Sequence, residues 1–190
     1  MNAYAFLSRV GFRRLLRRLY RIELVGAENV PQDGGCILAS NHESLVDPFI
    51  LGVATTREIR FMAKSELFAN RAMAATFRAL GAFPVERGGG DRAAFSEAAE
   101  LLRRGEVLGI FPQGTHKQHL ERRWHRGAAR LALVTGAPIV PVHMTGTRGR
   151  PLRTRVRIAV GAPIYVEPAR PSVAAAKALT EQVEQAILAA

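Results

Sequence analysis

Short apolar runs alternate with longer amphipathic segments along the chain. The apolar runs predict strands at residues 21–25, 36–40, 59–63, 81–86, 107–111, 138–143 and 155–160. The amphipathic segments predict helices at residues 3–20, 47–55, 69–79, 92–104, 127–134 and 173–188. This alternation predicts a single α/β domain with a mostly parallel or mixed sheet, flanked by helices and preceded by a basic amphipathic helix.

Single residues mark where several helices are expected to begin and end. Gly105 and Gly136 follow two of the predicted helices, a common position for glycine because it tolerates the left-handed backbone. Asp91 and Ser172 precede two others and are favoured caps. With no long linker between these segments, the 190 residues are expected to form one core.

The first predicted helix combines positive charge with apolar side chains. Its apolar residues are Phe6, Leu7, Val10, Phe12, Leu15, Leu16, Leu19 and Tyr20. Six arginines accompany them up to residue 21, and no acid precedes Glu23. This pattern is typical of a helix that lies in the plane of a membrane. The alternative is a helix packed against the core, with its arginines in solvent.

Composition extends this picture to the whole chain. Lysine and arginine outnumber the acids 27 to 16, which gives a net charge of +11 and calls for an anionic partner. Nucleic acid, an anionic membrane and a phosphorylated substrate all meet that need. No nucleic-acid-binding signature is present, although a basic nucleic-acid-binding protein stays open as an alternative. Cys36 is the single cysteine, so neither a disulfide framework nor a cysteine-based zinc site is expected.

The clearest chemical motif is Asn41-His-Glu-Ser-Leu-Val-Asp47, between a predicted strand and a predicted helix. On a regular helix His42 and Asp47 would point about 140° apart, so they can meet only if the chain turns between them. Pro48 disfavours helical geometry at Asp47 and favours such a turn. A carboxylate on the imidazole would fix its tautomer and leave the other nitrogen to act as a base. The alternative is that Asp47 only caps the helix and His42 is an ordinary loop histidine.

Four blocks in order resemble the signature of the glycerolipid acyltransferase family, of the lysophosphatidate (1-acylglycerol-3-phosphate) acyltransferase type. They are Asn41-His42-x-x-x-x-Asp47, Gly81-Ala-Phe-Pro-Val-Glu-Arg87, Phe111-Pro-Gln-Gly-Thr115 and Ile139-Val-Pro-Val142. The segment Phe61-Met-Ala-Lys-Ser-Glu-Leu-Phe68 resembles the stretch between the first two blocks. The resemblance covers about residues 21–165.

The resemblance implies a reaction in which His42 deprotonates an acceptor hydroxyl that attacks an acyl thioester, with Asp47 orienting His42. Arg87 would bind the acceptor's phosphate, which guanidinium does well through paired hydrogen bonds. The other implied substrate-binding residues are Lys64, Gly81, Gln113, Gly114, Thr115, His116 and Lys117. The donor would be acyl-CoA or acyl-carrier protein, and neither a cofactor nor a metal is implied. Arg87 and Lys64 have a simpler alternative as solvent-exposed side chains.

Two residues depart from the third block of the family, which normally reads Phe-Pro-Glu-Gly-Thr-Arg. Gln113 replaces the glutamate and His116 replaces the arginine, with Lys117 able to restore only a point charge. The acceptor is therefore open: 1-acylglycerol-3-phosphate, another lysolipid or a polyol. A catalytically inactive relative is a further alternative, and a serine esterase lacks its Gly-x-Ser-x-Gly turn here.

Location follows from the same features. No apolar run reaches the roughly 18 residues that span a bilayer, and the first residues lack the pattern of a cleaved signal. We expect a peripheral protein on the cytoplasmic face of an anionic membrane, with no transmembrane helix. Residues 1–20 would contact the membrane and residues 21–190 would form the acyltransferase domain. Its partners would be that membrane, the thioester donor (acyl-carrier protein among them) and a lysophospholipid acceptor, but no nucleic acid.

Overall fold

The computed structural model describes residues 11, 13–71, 74, 75, 78, 81–85, 92–114, 124–148 and 154–190. Seven strands form one sheet: β1 (Arg21–Val25), β2 (Cys36–Ser40), β3 (Ile59–Lys64), β4 (Ala82–Val85), β5 (Val107–Ile110), β6 (Ile139–Thr145) and β7 (Arg155–Val160). The helices are α1 (residues 13–19), α2 (Asp47–Leu51), α3 (Arg92–Arg103), α4 (Gly127–Thr135) and α5 (Val173–Ala189). Residues 71, 74, 75 and 78 are also helical. The predicted α/β class is confirmed.

The sheet is mixed, in the order β1-β7-β6-β2-β5-β3-β4. Neighbouring strands are parallel except β6 and β7, which are antiparallel. Five strands therefore end at one edge, and β1 and β7 begin there. In α/β sheets ligands gather at the carboxyl ends of the strands, so this edge is where a site is expected.

Most element boundaries agree with the sequence pattern, and one helix is shorter. Gly136 ends α4 with a φ of 71°, and the Ser172 hydroxyl accepts a hydrogen bond from the Ala175 N–H at 3.0 Å, as the cap prediction requires. The helix predicted to reach Thr55 ends at Leu51 instead. Gly52 follows it, and glycine is a poor helix former, so the chain continues in turns. Asp91 lies outside the described residues.

Two apolar cores cover the two faces of the sheet. One packs α3, α4 and α5 around residues such as Ile37 and Ile139. The other packs α1 and α2 around residues such as Leu38 and Val140. The central strands therefore lie between two layers of helices, so the site lies at an edge of the sheet and not on a face.

Helix α1 has one face on the core and one in solvent. Leu16 and Tyr20 are buried in the second core, at 7% and 8% exposure, whereas Leu15 is 49% exposed. The Arg13 guanidinium donates to the Val53 carbonyl at 2.9 Å, and burial, with nearby Arg17, lowers the pKa of Arg13. One face of α1 therefore packs against the core, as the alternative interpretation predicts. Membrane contact by the other face stays a prediction. Residues 1–10 and 12 lie outside the described residues.

Arg57 joins two loops at the opposite edge of the sheet. Its guanidinium donates to the carbonyls of Pro31, Gly34 and Gly105, which lie in loops before β2 and β5. It also contacts the Cys36 thiol at 3.9 Å. Burial raises the pKa of the Cys36 thiol, and the charge of Arg57 partly opposes this. Cys36 is fully buried, as expected for a small apolar side chain on a strand.

Candidate active site

The candidate site begins where β2 ends, at a loop of residues 41–46 that we term the His42 loop. Buried Asn41 anchors its start. The Asn41 side-chain amide donates to the Met144 carbonyl at 2.8 Å, and its oxygen accepts from the Met144 N–H at 2.7 Å. These two bonds fasten the end of β2 to β6, so the residue that follows, His42, has a fixed starting position.

Asp47 folds the loop back onto His42. Its Oδ2 lies 2.9 Å from Nδ1 of His42 and also accepts the backbone N–H groups of Glu43 at 2.6 Å and Ser44 at 2.8 Å. Asp47 is only 1% exposed. The carboxylate is thus held by three donors on one oxygen, and the turn that the five-residue spacing requires is present.

The helix-cap alternative for Asp47 is wrong. Val46, not Asp47, is the residue before the first turn of α2, and it makes no side-chain cap bond. The bonds of Asp47 run to the loop that precedes the helix. Because an ionised carboxylate only accepts, Nδ1 of His42 carries the proton and Nε2 is the ring nitrogen that can take one.

Gln113 joins the turn after β5 to the His42 loop. Its Oε1 accepts the backbone N–H of His42 at 2.8 Å, and the residue is 8% exposed. An amide oxygen meets this need as a carboxylate would, but without placing a second negative charge near buried Asp47. The sequence predicts that Gln113 contacts the acyl acceptor. The structure shows that Gln113 also bonds to the backbone of His42.

Aromatic rings support His42 from the side. The ring of Phe111 stacks on the imidazole with centroids 4.4 Å apart, and Phe61 stacks on Phe111 at 6.4 Å. Gly109 makes room for Phe61, since a Cβ at Gly109 would lie 2.3 Å from the Phe61 ring. Sequence reasoning missed Asn41, Phe111 and Gly109 as supports for His42. The signal available was their place in or beside the matched blocks.

Two of the predicted substrate-binding glycines have backbone reasons to be glycine. Gly81 has a φ of +80°, and a Cβ there would lie 2.4 Å from the Ile59 carbonyl oxygen. Gly114 has a φ of +68° and closes the turn after β5 by donating its N–H to the Phe111 carbonyl at 3.0 Å. Contact of either glycine with substrate stays a prediction.

The remaining predicted site residues are only partly covered. Lys64 ends β3 at the same edge as His42, but its side chain lies outside the description. Arg87, Thr115, His116 and Lys117 lie outside the described residues. Their roles therefore stay predictions.

The described part of the chain holds no group of three or more His, Cys, Asp and Glu side chains placed to bind a metal ion. In the same residues, no helix is both long and apolar enough to cross a membrane.

A His–Asp pair on the ligand-binding edge of an α/β sheet defines a site for acid–base chemistry. The family described as Acyltransferase matches residues 21–145, and the chain belongs to that family. The 1-acyl-sn-glycerol-3-phosphate acyltransferase of Bacillus subtilis is 32% identical over 148 residues, which cover 76% of this chain and 74% of that protein. The protein of the same name from Streptococcus pneumoniae is 33% identical over 140 residues, 71% of this chain and 52% of that protein.

A solved structure shares the fold. The crystal structure of the 1-acyl-sn-glycerophosphate (LPA) acyltransferase PlsC from Thermotoga maritima superposes with a TM-score of 0.76. It covers 98% of this chain and 78% of that one, at 22% identity. The chain thus belongs to the acyltransferase family by sequence and shares the fold of this structure.

Proposed function

We propose that this chain transfers a fatty acyl group from a thioester to the hydroxyl of a lysophospholipid, with 1-acylglycerol-3-phosphate as acceptor and phosphatidate as product. The observation that carries the proposal is the hydrogen bond between His42 and buried Asp47 at 2.9 Å. The names of the Bacillus and Streptococcus relatives support the acceptor. Phosphatidate formation would place the chain in phospholipid biosynthesis.

The proposed mechanism follows from the protonation of the imidazole. Nε2 of His42 takes the proton of the acceptor hydroxyl as its oxygen forms a bond to the thioester carbonyl carbon. The carbon–sulfur bond then breaks, and the imidazolium returns the proton to the departing thiolate. Asp47 stabilises the imidazolium between these two transfers. Acyl-CoA and acyl-carrier protein are both thioesters, so this chemistry fits either donor.

The experiment supplies purified enzyme with 1-acylglycerol-3-phosphate and, in separate reactions, acyl-CoA or acyl-carrier protein. Phosphatidate is measured by mass spectrometry. His42→Ala should lower the rate by more than about 10⁴-fold, as the loss of the base does in a catalytic triad. His143→Ala is the matched control, because His143 lies on β6 outside the His42 loop, and it should keep its rate. A His42→Ala rate close to that of the control would remove His42 as the base.

A second acceptor class is favoured by one observation. Gln113 stands where the family has a glutamate, and its oxygen is bonded to the His42 backbone. The third block of this chain therefore differs chemically from that of its family, and we include a different lysolipid or a polyol as the second candidate. Parallel reactions with glycerol-3-phosphate, lysophosphatidylglycerol and lysophosphatidylethanolamine separate the candidates by their kcat/KM values.

We further propose that the enzyme works on the cytoplasmic face of an anionic membrane, held there by α1. Arg14, Leu15 and Arg18 are exposed on this helix, whereas Leu16 faces the core. An apolar side chain among arginines suits a lipid surface better than it suits nucleic acid. Flotation with anionic vesicles, compared with a gel shift on DNA and RNA, tests the choice.

A further inference from the structure

A basic cleft lies on the active edge of the sheet, beside the candidate site. It is an open cleft of about 440 Å³ where α1 ends, β1 and β7 begin and β6 ends. We term it the arginine cleft. Its lining residues are Arg17, Arg21, Ile22, Glu23, Thr145, Arg155, Val156 and Arg157. Neither the family's matched blocks nor the proposed reaction uses it.

The positive charge of the cleft is only partly balanced. Arg21 pairs in register with Arg155 on the adjacent strand, so two like charges sit side by side. One step along, Glu23 pairs with Arg157, and their charged groups lie 3.9 Å apart. Among the described residues, no carboxylate forms an ion pair with Arg17, Arg21 or Arg155. Adjacent like charges repel, and an anion bound between them would remove the repulsion.

From this arrangement we infer that the arginine cleft binds the phosphate of an anionic phospholipid headgroup in the membrane. Guanidinium groups suit phosphate because each can donate two parallel hydrogen bonds. The volume suits a headgroup without its acyl chains. The lipid source is favoured because Arg17 belongs to α1, whose Leu15 is half-exposed two residues before. The inference rests on the proposed membrane contact but not on the proposed reaction.

Hydrogen bonds and an ion pair link the chain beside the arginine cleft to the His42 loop. Thr145, which lines it, follows Met144, and both backbone groups of Met144 are bonded to Asn41. Arg148 lies 3.4 Å from Glu43, which ties the chain after β6 to the same loop. A headgroup in the cleft would therefore hold the edge that carries His42 against the bilayer. Lys64, the predicted acceptor residue on β3, lies on the other side of β2.

The test uses the full chain and the double variant Arg21→Gln/Arg155→Gln. The matched control is Arg103→Gln/Arg170→Gln, which removes the same charge from exposed arginines outside the cleft. Binding is measured by flotation with vesicles of phosphatidylcholine alone and with added phosphatidylglycerol. We expect the cleft variant to lose at least about fivefold in affinity for the anionic vesicles, the usual worth of one arginine at such a surface. The control should lose less than about twofold.

Stability and soluble ligands sharpen the test. The cleft variant should melt no lower than the wild-type chain, because removing adjacent like charges relieves repulsion. Equal losses of vesicle binding in both double variants would show a net-charge effect and overturn the proposal. A cleft variant that binds vesicles normally but loses affinity for CoA would also overturn it, since the source would then be the donor. His42→Ala should bind anionic vesicles as the wild type does, which keeps this test independent of the reaction.

Discussion

The His42 loop and the arginine cleft share one edge of the sheet, but their charged groups are balanced in different ways. In the loop, the buried carboxylate of Asp47 is held by three donors from the chain itself. In the cleft, Arg21 and Arg155 lie side by side and form no ion pair with a described acid. A catalytic pair has to keep its geometry before substrate arrives, so its partners are internal. A receptor for an anion can leave its charges to be balanced by the ligand.

Asp47→Asn tests the His42 loop, whose carboxylate is balanced by donors within the protein. It should have the largest effect after the loss of His42. The amide oxygen can still accept from Glu43 and Ser44, but the amide group no longer enforces the same tautomer at His42. In hydrolase triads this change costs about 10⁴-fold in kcat, and we expect a loss of that order. The melting temperature measured beside kcat decides the role. A lower melting temperature with nearly normal kcat would make Asp47 a purely structural residue.

Gln113→Leu tests the link between the two loops of the site. Leucine keeps the size of the side chain but leaves the backbone N–H of His42 without its 2.8 Å acceptor. An unsatisfied buried donor costs about 1–3 kcal/mol, so kcat should fall roughly 5- to 150-fold if the cost falls on the active geometry. Gln113→Glu keeps an acceptor for the same bond but adds a negative charge near buried Asp47, so it should lose less kcat than Gln113→Leu without matching the wild type.

The kinetic constants of Gln113→Leu decide whether Gln113 contacts the acyl acceptor or positions His42. If Gln113→Leu raises the KM for the acceptor and leaves kcat unchanged, Gln113 contacts the substrate rather than positioning His42. Equal kcat values for wild type and Gln113→Leu would end the positioning role.

Arg57→Gln compares an internally satisfied arginine with those of the cleft. Arg57 donates to three backbone carbonyls, so its loss should lower the free energy of unfolding by about 1.5–3 kcal/mol. Arg21→Gln should leave it nearly unchanged, because Arg21 is exposed. Urea denaturation of both variants measures the difference. Similar losses in both would mean that Arg21 has a stabilising partner within the protein.

The sequence predicted local elements well because local patterns determine them. The bounds of β1, β2 and β7 agree with the prediction to the residue. The order of the strands was beyond such reasoning, since β1 pairs with β7 across more than a hundred residues of chain. The supports of His42 are similarly remote: Gln113 lies 71 residues away, and Asn41 reaches Met144 across 103. The hydrophobic periodicity of a sequence carries no information about contacts between a side chain and a distant backbone group.

The His–Asp pair was accessible from the sequence, and the arginine cleft was not. Five residues separate His42 from Asp47, and a loop followed by Pro48 allows them to meet. The arginines of the cleft come from both ends of the chain and meet only because β1 pairs with β7. The sequence shows the positive net charge of the chain but not which arginines lie together in the fold.

Substitution of two neighbouring leucines of α1, Leu15 and Leu16, should have the smallest effect on membrane binding. Leu15 is 49% exposed and Leu16 is 7% exposed, so the first can meet lipid and the second meets the core. Leu15→Ala should weaken binding to anionic vesicles by a few-fold, since each buried methylene contributes about 0.8 kcal/mol and Leu15 need not be fully inserted. Its melting temperature should not change. Leu16→Ala should instead lower the free energy of unfolding by about 2–5 kcal/mol, as large-to-small changes in a core do.

The pair separates the two predicted roles of α1, because the substitution, the helix and the loss of volume are the same at both positions. If α1 only packs on the core, Leu15→Ala will bind vesicles as the wild type does. Added salt provides the second measurement. Salt should weaken the share of binding that comes from the arginine cleft, because Debye screening acts on exposed charges, and should leave the few-fold effect of Leu15→Ala in place. An effect of Leu15→Ala that vanished with salt would mean that the leucine acts by orienting its neighbouring arginines, and the apolar contact with lipid would then be withdrawn.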